Sequence, residues 1–370
     1  PIWNATSFYH GYTFLLYGYC YFSVFRSLAS QFTRAKGMVK LFAIDGIFAT
    51  LTQFVCNLIF MLWLDMGITG YILSFIVSDL ISLILLTVFA QLYKCLDTKF
   101  ISRKLIREML KYSAPLIPTY LLWWITSASD RVFVIKMVGE SDNGIYSVAY
   151  KLPTLLMLVT TMFYQAWQMS SIEEKDSAEL GKFFRSVFSV YSSLMYVAAA
   201  GLIMISKPMT DLLTSGDSYN GAEKYTVILI IAMVFQCFCQ FLSSIYSVKK
   251  KSANSCYTAL SAAVVNIVLN FLLIPHFRVY GAAIATAAAY GTCFVIRIFD
   301  ARKFIRFRVD HLRLILNTAF VIAMSVISIT EPKLYVLWII LCFAAVAVLN
   351  FGALKLTVKK LFGRFFRKTA

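Results

Sequence analysis

Three ionisable side chains interrupt a strongly apolar stretch of this sequence. Asp130 and Arg131 fall inside LLWWITSASDRVFVIKM, and Lys151 falls inside GIYSVAYKLP. A charge in such a run is costly and marks a functional site by default. On a helix Trp123, Ser127 and Arg131 stand four apart and share a face, with Asp130 beside it. On the following helix Ser147 and Lys151 share one face, and Tyr146 and Tyr150 share another. Arg131 lies about seven residues, or about 10 Å, below the outer end of its segment. Lys151 lies about as deep in the next. If a turn at 141–144 joins the two helices, Asp130, Arg131 and Lys151 meet at one level. One acid and two bases make a net positive site that suits an anionic group such as a pyrophosphate. Arg would contact it bidentately and Lys as a point charge. Trp124, Tyr146 and Tyr150 offer flat faces and hydroxyls to sugars. The competing reading is a structural ion network that pins the helices.

Other charges lie in apolar runs. Asp79 sits near mid-depth and is a candidate proton or sodium site. Asp45 lies closer to a basic loop, where it is expected to be solvated or paired with Arg34 or Lys40. Arg297 and Asp300 read as interface anchors at a helix end. Pro115, Pro118, Pro153 and Pro275 fall within or at the ends of apolar segments and permit kinks.

The elements that must carry these groups follow from composition. Hydrophobic residues make up 60% of the 370 and charged residues 14%, against about 25% charged in soluble domains. Such a chain belongs in a bilayer, as an all-α polytopic helical bundle. Eleven segments are long enough to cross it: 9–30, 41–63, 67–92, 113–138, 144–167, 184–206, 223–246, 255–275, 280–300, 312–330 and 334–354. The loops between them alternate. One set is rich in base, including Lys36, Lys104, Arg107, Lys182, Lys250, Arg306, Arg308 and Arg313. The other set is short and poor in base. The positive-inside rule places the first set in the cytoplasm. The net charge of +17 is therefore a topology signal. No groove-reading motif accompanies it, so nucleic acid is not an expected partner. The stretch 355–370 reads as a basic amphipathic tail on the cytoplasmic surface.

The segment from Phe32 resembles the segment from Tyr246. Each runs basic loop, apolar helix, Asn, short loop, Gly, apolar helix. Lys36 aligns with Lys250, Asn57 with Asn270 and Gly70 with Gly281. Both copies have the same orientation, as in parallel transporter repeats. The expected organisation is therefore two pseudo-symmetric lobes. Residues 1–111 are the remainder of a first lobe with three spans, and 112–354 form a second lobe with eight. On the repeat argument the first lobe lacks its N-terminal helices in this chain.

Several functions are disfavoured. There is no phosphate-cradling glycine loop and no metal-binding His pair, so neither a cofactor nor a metal is expected. His10, His276 and His311 are isolated. The cysteines read as small buried hydrophobes. The acids Glu173, Glu174, Asp176 and Glu179 read as a solvated helix face. A membrane glycosyltransferase or polymerase would need paired carboxylates in a sizeable outer loop, and those loops are short. No catalytic residue is expected.

The words YSAPLIPTYLLWWITSASDRVFV, GIYSVAYKLP, FYQAWQMSSIEE and Tyr280-Gly281-Ala282-Ala283 resemble the polysaccharide-transporter, or Wzx-type O-antigen flippase, branch of the MOP superfamily. The resemblance implies a multi-pass protein of the cell inner membrane with two lobes and a cationic cavity, matching Arg131 and Lys151. The implied substrate is an undecaprenyl-pyrophosphate-linked oligosaccharide, moved from the cytoplasmic to the outer leaflet by alternating access. Membrane lipids and glycan polymerase machinery are the implied partners, and coupling to an ion gradient or to substrate supply the implied drive. The alternatives are a multidrug exporter of the same superfamily, which would favour an acidic cavity, and a non-transporting scaffold.

Overall fold

A computed structural model describes residues 11–95, 97, 101–173, 180–213 and 221–366, with the side chains of 169–173, 211, 213 and 356–366 outside that description. The described residues are helical nearly throughout, and helices occupy the described parts of the expected segments, the fifth being divided between two. The backbone explains why: in hydrocarbon every N–H and C=O must find a partner within its own segment. Buried Ser and Thr hydroxyls follow the same rule by bonding back to the preceding turn, as Thr33 does to the Ala29 carbonyl at 2.8 Å.

The chain divides into two compact units, Pro1–Ile106 and Arg107–Ala370. In the first, α1 (Thr13–Ala35), α2 (Val39–Asn57) and α3 (Gly67–Phe89) pack together. A six-residue π-helix, Leu58–Trp63, continues α2. Only 6% of the apolar window in Val39–Trp63 is buried among the described residues. The amphipathic α4 (Arg103–Ser113) runs across the boundary between the units.

The second unit holds α5 (Leu116–Met137), α6 (Glu140–Ala149), α7 (Thr154–Glu173), α8 (Leu180–Leu213) and α9 (Ala222–Val248). It continues with α10 (Ser252–Phe277), α11 (Val279–Ala301), α12 (His311–Thr330) and α13 (Tyr335–Phe366). Here α9 is the central post, with 67% of its apolar window buried. It packs on α7, α8, α11 and α12. Phe163, Trp167, Phe188, Tyr191 and Phe241 stack in its core. The buried alanines of α11 (Ala282, Ala283, Ala285, Ala289) let α9 and α10 approach closely.

The two glycines aligned in the sequence meet the same demand. A Cβ on Gly281 would stand 2.6 Å from the Leu273 carbonyl oxygen, and one on Gly70 would stand 2.9 Å from that of Phe60. In both places the end of one helix passes against the start of the next at a distance only glycine allows.

Eight helices among the described residues are long and apolar enough to cross a membrane, and the bent pair α6–α7 makes a ninth. Helices α1 and α5 fall outside that set because tyrosines and Arg26 dilute the first, and Asp130, Arg131 and hydroxyls the second.

Two boundaries differ from those expected. The turn after α5 falls at Val138–Gly139 rather than 141–144, since Gly139 at φ +139° lets α6 begin at Glu140. The fifth segment is then broken at 150–153 and bent by 46°. Pro153 lacks an N–H and disfavours helix at Leu152, which accounts for the break. The stretch expected to be a separate basic tail continues α13 as helix to Phe366, while 367–370 lie outside the described residues. The acids at 174, 176 and 179 lie outside them too, as does the side chain of Glu173.

Candidate functional site

The carboxylate of Asp130 is fully buried and points into the second unit. Tyr146 and Tyr150 each donate to its Oδ2 at 3.2 Å, and Thr286 donates to the same oxygen. Asn266 and Asn270 donate to Oδ1 at 2.9 and 2.7 Å. Ser129 closes the shell by donating to Asn266 Oδ1 at 2.6 Å. Every donor is a neutral side chain. They come from α6 and its break, from α10 and from α11, so a single carboxylate ties α5 to three other stretches of the fold. Asn266 and Asn270 are four apart on one face of α10, as are Tyr146 and Tyr150 across the end of α6. The Asn270 Oδ1 is buried without a hydrogen-bond partner.

Each shell residue also carries an oxygen that can accept or coordinate. One carboxylate with amide and hydroxyl oxygens suits a proton or a hard monovalent cation. A Ca²⁺ site would draw on more carboxylate charge. Among the described residues no three His, Cys, Asp or Glu converge as metal ligands.

Arg131 and Lys151 do not join Asp130. Both are exposed, and neither makes an ion pair or side-chain hydrogen bond among the described residues. The reason is angular. Adjacent residues of a helix point about 100° apart, so Asp130 faces inward and Arg131 outward. Trp123 also departs from the face expected for it. It is half-buried, with the Arg297 guanidinium 5.4 Å over its ring and Tyr290 5.8 Å away. Seven residues turn a helix to within about 20° of the starting direction. Trp124, Ser127 and Arg131 therefore form the outward stripe, and all three are exposed. Lys151 is exposed in the break at 150–153. The structure thus sorts the expected site into an inner cluster (Asp130, Tyr146, Tyr150) and outward groups (Trp124, Ser127, Arg131, Lys151).

The remaining charges also settle differently. Arg297 is no interface anchor: it is 1% exposed and donates to Thr258 Oγ at 2.9 Å, to the Cys239 carbonyl and to Ser243. Among the described residues no carboxylate pairs with it, and the Trp123 and Tyr246 rings cover it. Asp300 is largely buried and accepts from Tyr246 at 2.9 Å and Asn254 at 3.0 Å. In the first unit Arg26 reaches Asp79 at 3.0 Å and Asp45 at 3.8 Å. Asp45 is therefore neither solvated nor paired with Arg34 or Lys40, and Asp79 is already neutralised by a partner. Arg26, Asn266 and Thr286 are not among the residues expected from the sequence. A charge inside the first apolar segment was the available signal for Arg26. Nothing in the spacing flags the other two, because they meet Asp130 only through tertiary packing.

The bundle defines the class. Solved structures with the same fold include a mutant of the MATE transporter VcmN from Vibrio cholerae (TM-score 0.67, 12% identity, 81% of this chain and 70% of that one). They also include a MOP-superfamily transporter from Pyrococcus furiosus (TM-score 0.66, 13% identity, 78% and 69%), described as having a binding pocket of reversed polarity. The chain therefore has the multi-span membrane fold of the MOP superfamily. The family model described as polysaccharide biosynthesis protein matches residues 19–224, more than half of the sequence, and the chain belongs to that family. A relative from Haloferax volcanii, named as the probable low-salt glycan biosynthesis flippase Agl15, is 22% identical over 219 residues. Those cover 57% of this chain and 45% of that protein. The chain spans about half the length of the curated relatives it matches.

Proposed function

We propose that this protein is a transporter, not an enzyme, that flips an undecaprenyl-pyrophosphate-linked oligosaccharide from the cytoplasmic to the outer leaflet of the inner membrane. Glycan polymerase machinery would receive the product. The observation that carries the reading is the outward stripe of α5. Trp124, Ser127 and Arg131 present an aromatic face, a hydroxyl and a guanidinium in line. Lys151 adds an unpaired ammonium from the neighbouring break. These are the groups that recognise a phosphorylated sugar: bidentate Arg for phosphate, a point charge beside it and a flat ring for a pyranose. The likeness to a glycan flippase supports the same substrate class.

The MATE-fold neighbours favour multidrug export as a second reading. The fold does not choose between them, since it also houses a pocket of reversed polarity. The charge of the stripe supports the flippase reading, since a cationic drug would meet Arg131 and Lys151 with repulsion. Coupling to a proton or cation falls to Asp130 rather than Asp79, because Asp79 already has Arg26 and Asp130 has only neutral donors.

Translocation of a fluorescent lipid-linked sugar in proteoliposomes tests this. Arg131→Ala with Lys151→Ala is expected to cut the rate by at least about a hundredfold, on the order of tenfold for each charge-assisted hydrogen bond removed. Full transport by the double variant would refute the assignment.

A further inference from the structure

A second cluster of cationic groups lies within the second unit, away from Asp130 and the α5 stripe. A cavity of about 90 Å³ opens at the Lys/Arg-rich end of α8 and α12, several times the room one water needs. Its wall carries Arg185, Ser189 and Ser192 from α8, Arg308 and Asp310 from the loop before α12, and Arg313 from the first turn of α12. Arg185, Ser189 and Ser192 follow the i, i+4, i+7 spacing of one helix face.

Arg313 is the fixed floor. It is half-buried, and its guanidinium donates to Asn350 Oδ1 at 2.8 Å, to Ser189 at 3.1 Å and to Ser193. Asp310 is engaged in capping α12, accepting from the Arg313 backbone N–H at 3.2 Å. Arg185 and Arg308 are exposed at the rim, and among the described residues neither has an ion-pair or hydrogen-bond partner. Three guanidiniums against one carboxylate leave the cavity at +2.

The fold goes to some length to hold this arrangement. The loop carrying Arg308 lies so tightly on the first turn of α8 that a Cβ on Gly181 would collide with the Arg306 carbonyl oxygen. On the outer side α12 exposes Leu312 and Ile315. The cationic mouth therefore adjoins an exposed apolar surface at a helix end.

We infer that this cavity binds the phosphate of an anionic phospholipid headgroup. A phosphomonoester presents three terminal oxygens, enough to engage guanidiniums from three elements at once, where a carboxylate has two. Basic pockets between transmembrane helices on the positive side take such headgroups. A bound lipid ties α8, the loop and α12 together at the surface. This inference is independent of the substrate proposed above, since neither Arg131 nor Lys151 takes part.

The test uses the delipidated full chain in detergent, titrated separately with dioctanoyl phosphatidic acid and with inorganic phosphate, and read by calorimetry and by melting temperature. Saturable binding of phosphatidic acid is expected, with inorganic phosphate much weaker. In the doubly substituted Arg185→Gln, Arg308→Gln protein the affinity should fall roughly a hundredfold, about tenfold for each charge-assisted hydrogen bond. Both arginines are exposed, so the variant should melt like the wild type without lipid. Lys136→Gln, at an exposed base of α5 outside the cavity, should bind as the wild type does. Equal affinity for inorganic phosphate and the lipid would overturn the headgroup assignment. Unchanged affinity in the double variant, or no binding by the wild type, would overturn the site.

Discussion

Asp130→Ala should be among the most damaging single substitutions in the second unit. The cost can be counted donor by donor. Thr286 keeps an acceptor in the Ala282 carbonyl at 3.0 Å, and Asn270 keeps Asn266 Oδ1 at 3.2 Å. Tyr146 Oη and Asn266 Nδ2, both fully buried, are deprived of the carboxylate they bond to, as is the half-buried Tyr150 Oη. A stranded buried donor costs about 1–3 kcal/mol, so the two buried ones cost about 2–6 kcal/mol. Folded proteins have about 5–15 kcal/mol in hand. Asp130→Asn should be much milder. Its Oδ1 can still accept from the two asparagines, and its two amide N–H groups can donate to two of the three hydroxyls, which turn to accept, while Thr286 can keep donating to the Ala282 carbonyl. The assay is thermal unfolding in detergent, followed by tryptophan fluorescence. Asp130→Ala should unfold at least about 4 °C below the wild type or fail to accumulate, taking about 2–4 °C per kcal/mol. Asp130→Asn should lie less than halfway between them. Equal melting of the wild type and Asp130→Ala would refute the hydrogen-bonded cluster itself. In proteoliposomes Asp130→Asn separates pinning from coupling: a folded variant that still responds fully to proton and sodium gradients would remove Asp130 from the coupling role.

Two further outcomes follow from geometry elsewhere. Gly281→Ala places a methyl 2.6 Å from the Leu273 carbonyl oxygen and 2.8 Å from the Ile274 nitrogen. Both are backbone atoms, so the helices must part, at about 1–3 kcal/mol or more. Gly352→Ala, with nothing near its Cβ, is the matched control, and equal melting of the two variants would count against the close approach. At Glu331, Lys207 Nζ lies 2.6 Å away and holds the carboxyl below the usual carboxylate range. The folded value is the lower one, so the pair's contribution is complete above the ordinary value of about 4.3. It is lost as pH falls through the lowered value. The pair is exposed and its contribution small. Glu331→Gln should flatten the dependence of melting temperature on pH below about pH 4, and an unaltered slope would contradict the pairing.

The contrast between what the sequence made legible and what it did not is physical. Helical class was legible because the bilayer reduces the choice of spanning structure to apolar helices of about 20 residues, while the count of eleven spans exceeds the eight or nine that pass on length and apolarity. Gly70 and Gly281 were legible as a matched pair because a close approach leaves a residue-type requirement in the sequence. The helix break near Pro153 was permitted by the proline, but its place relative to Tyr150 and Lys151 was not specified. The site divided along the same line. That Tyr146 and Tyr150 share a face is a statement about one helix, and it holds. That Asp130 and Arg131 act together required two successive side chains to point the same way, which a helix forbids. Depth along the membrane normal had suggested that the three charges meet, and rotation about the helix axis separates them. Depth grows by 1.5 Å per residue and errs slowly, whereas rotation changes by 100° per residue and one position reverses the conclusion. Asn266 and Thr286 lie 136 and 156 positions from Asp130. Their roles are set by how α10 and α11 pack on α5, and no local spacing encodes that. The same physics predicts where related chains will be legible from sequence: with charges in apolar runs assigned by rotation first and depth second, the inward acid and the outward bases separate before any coordinates are seen.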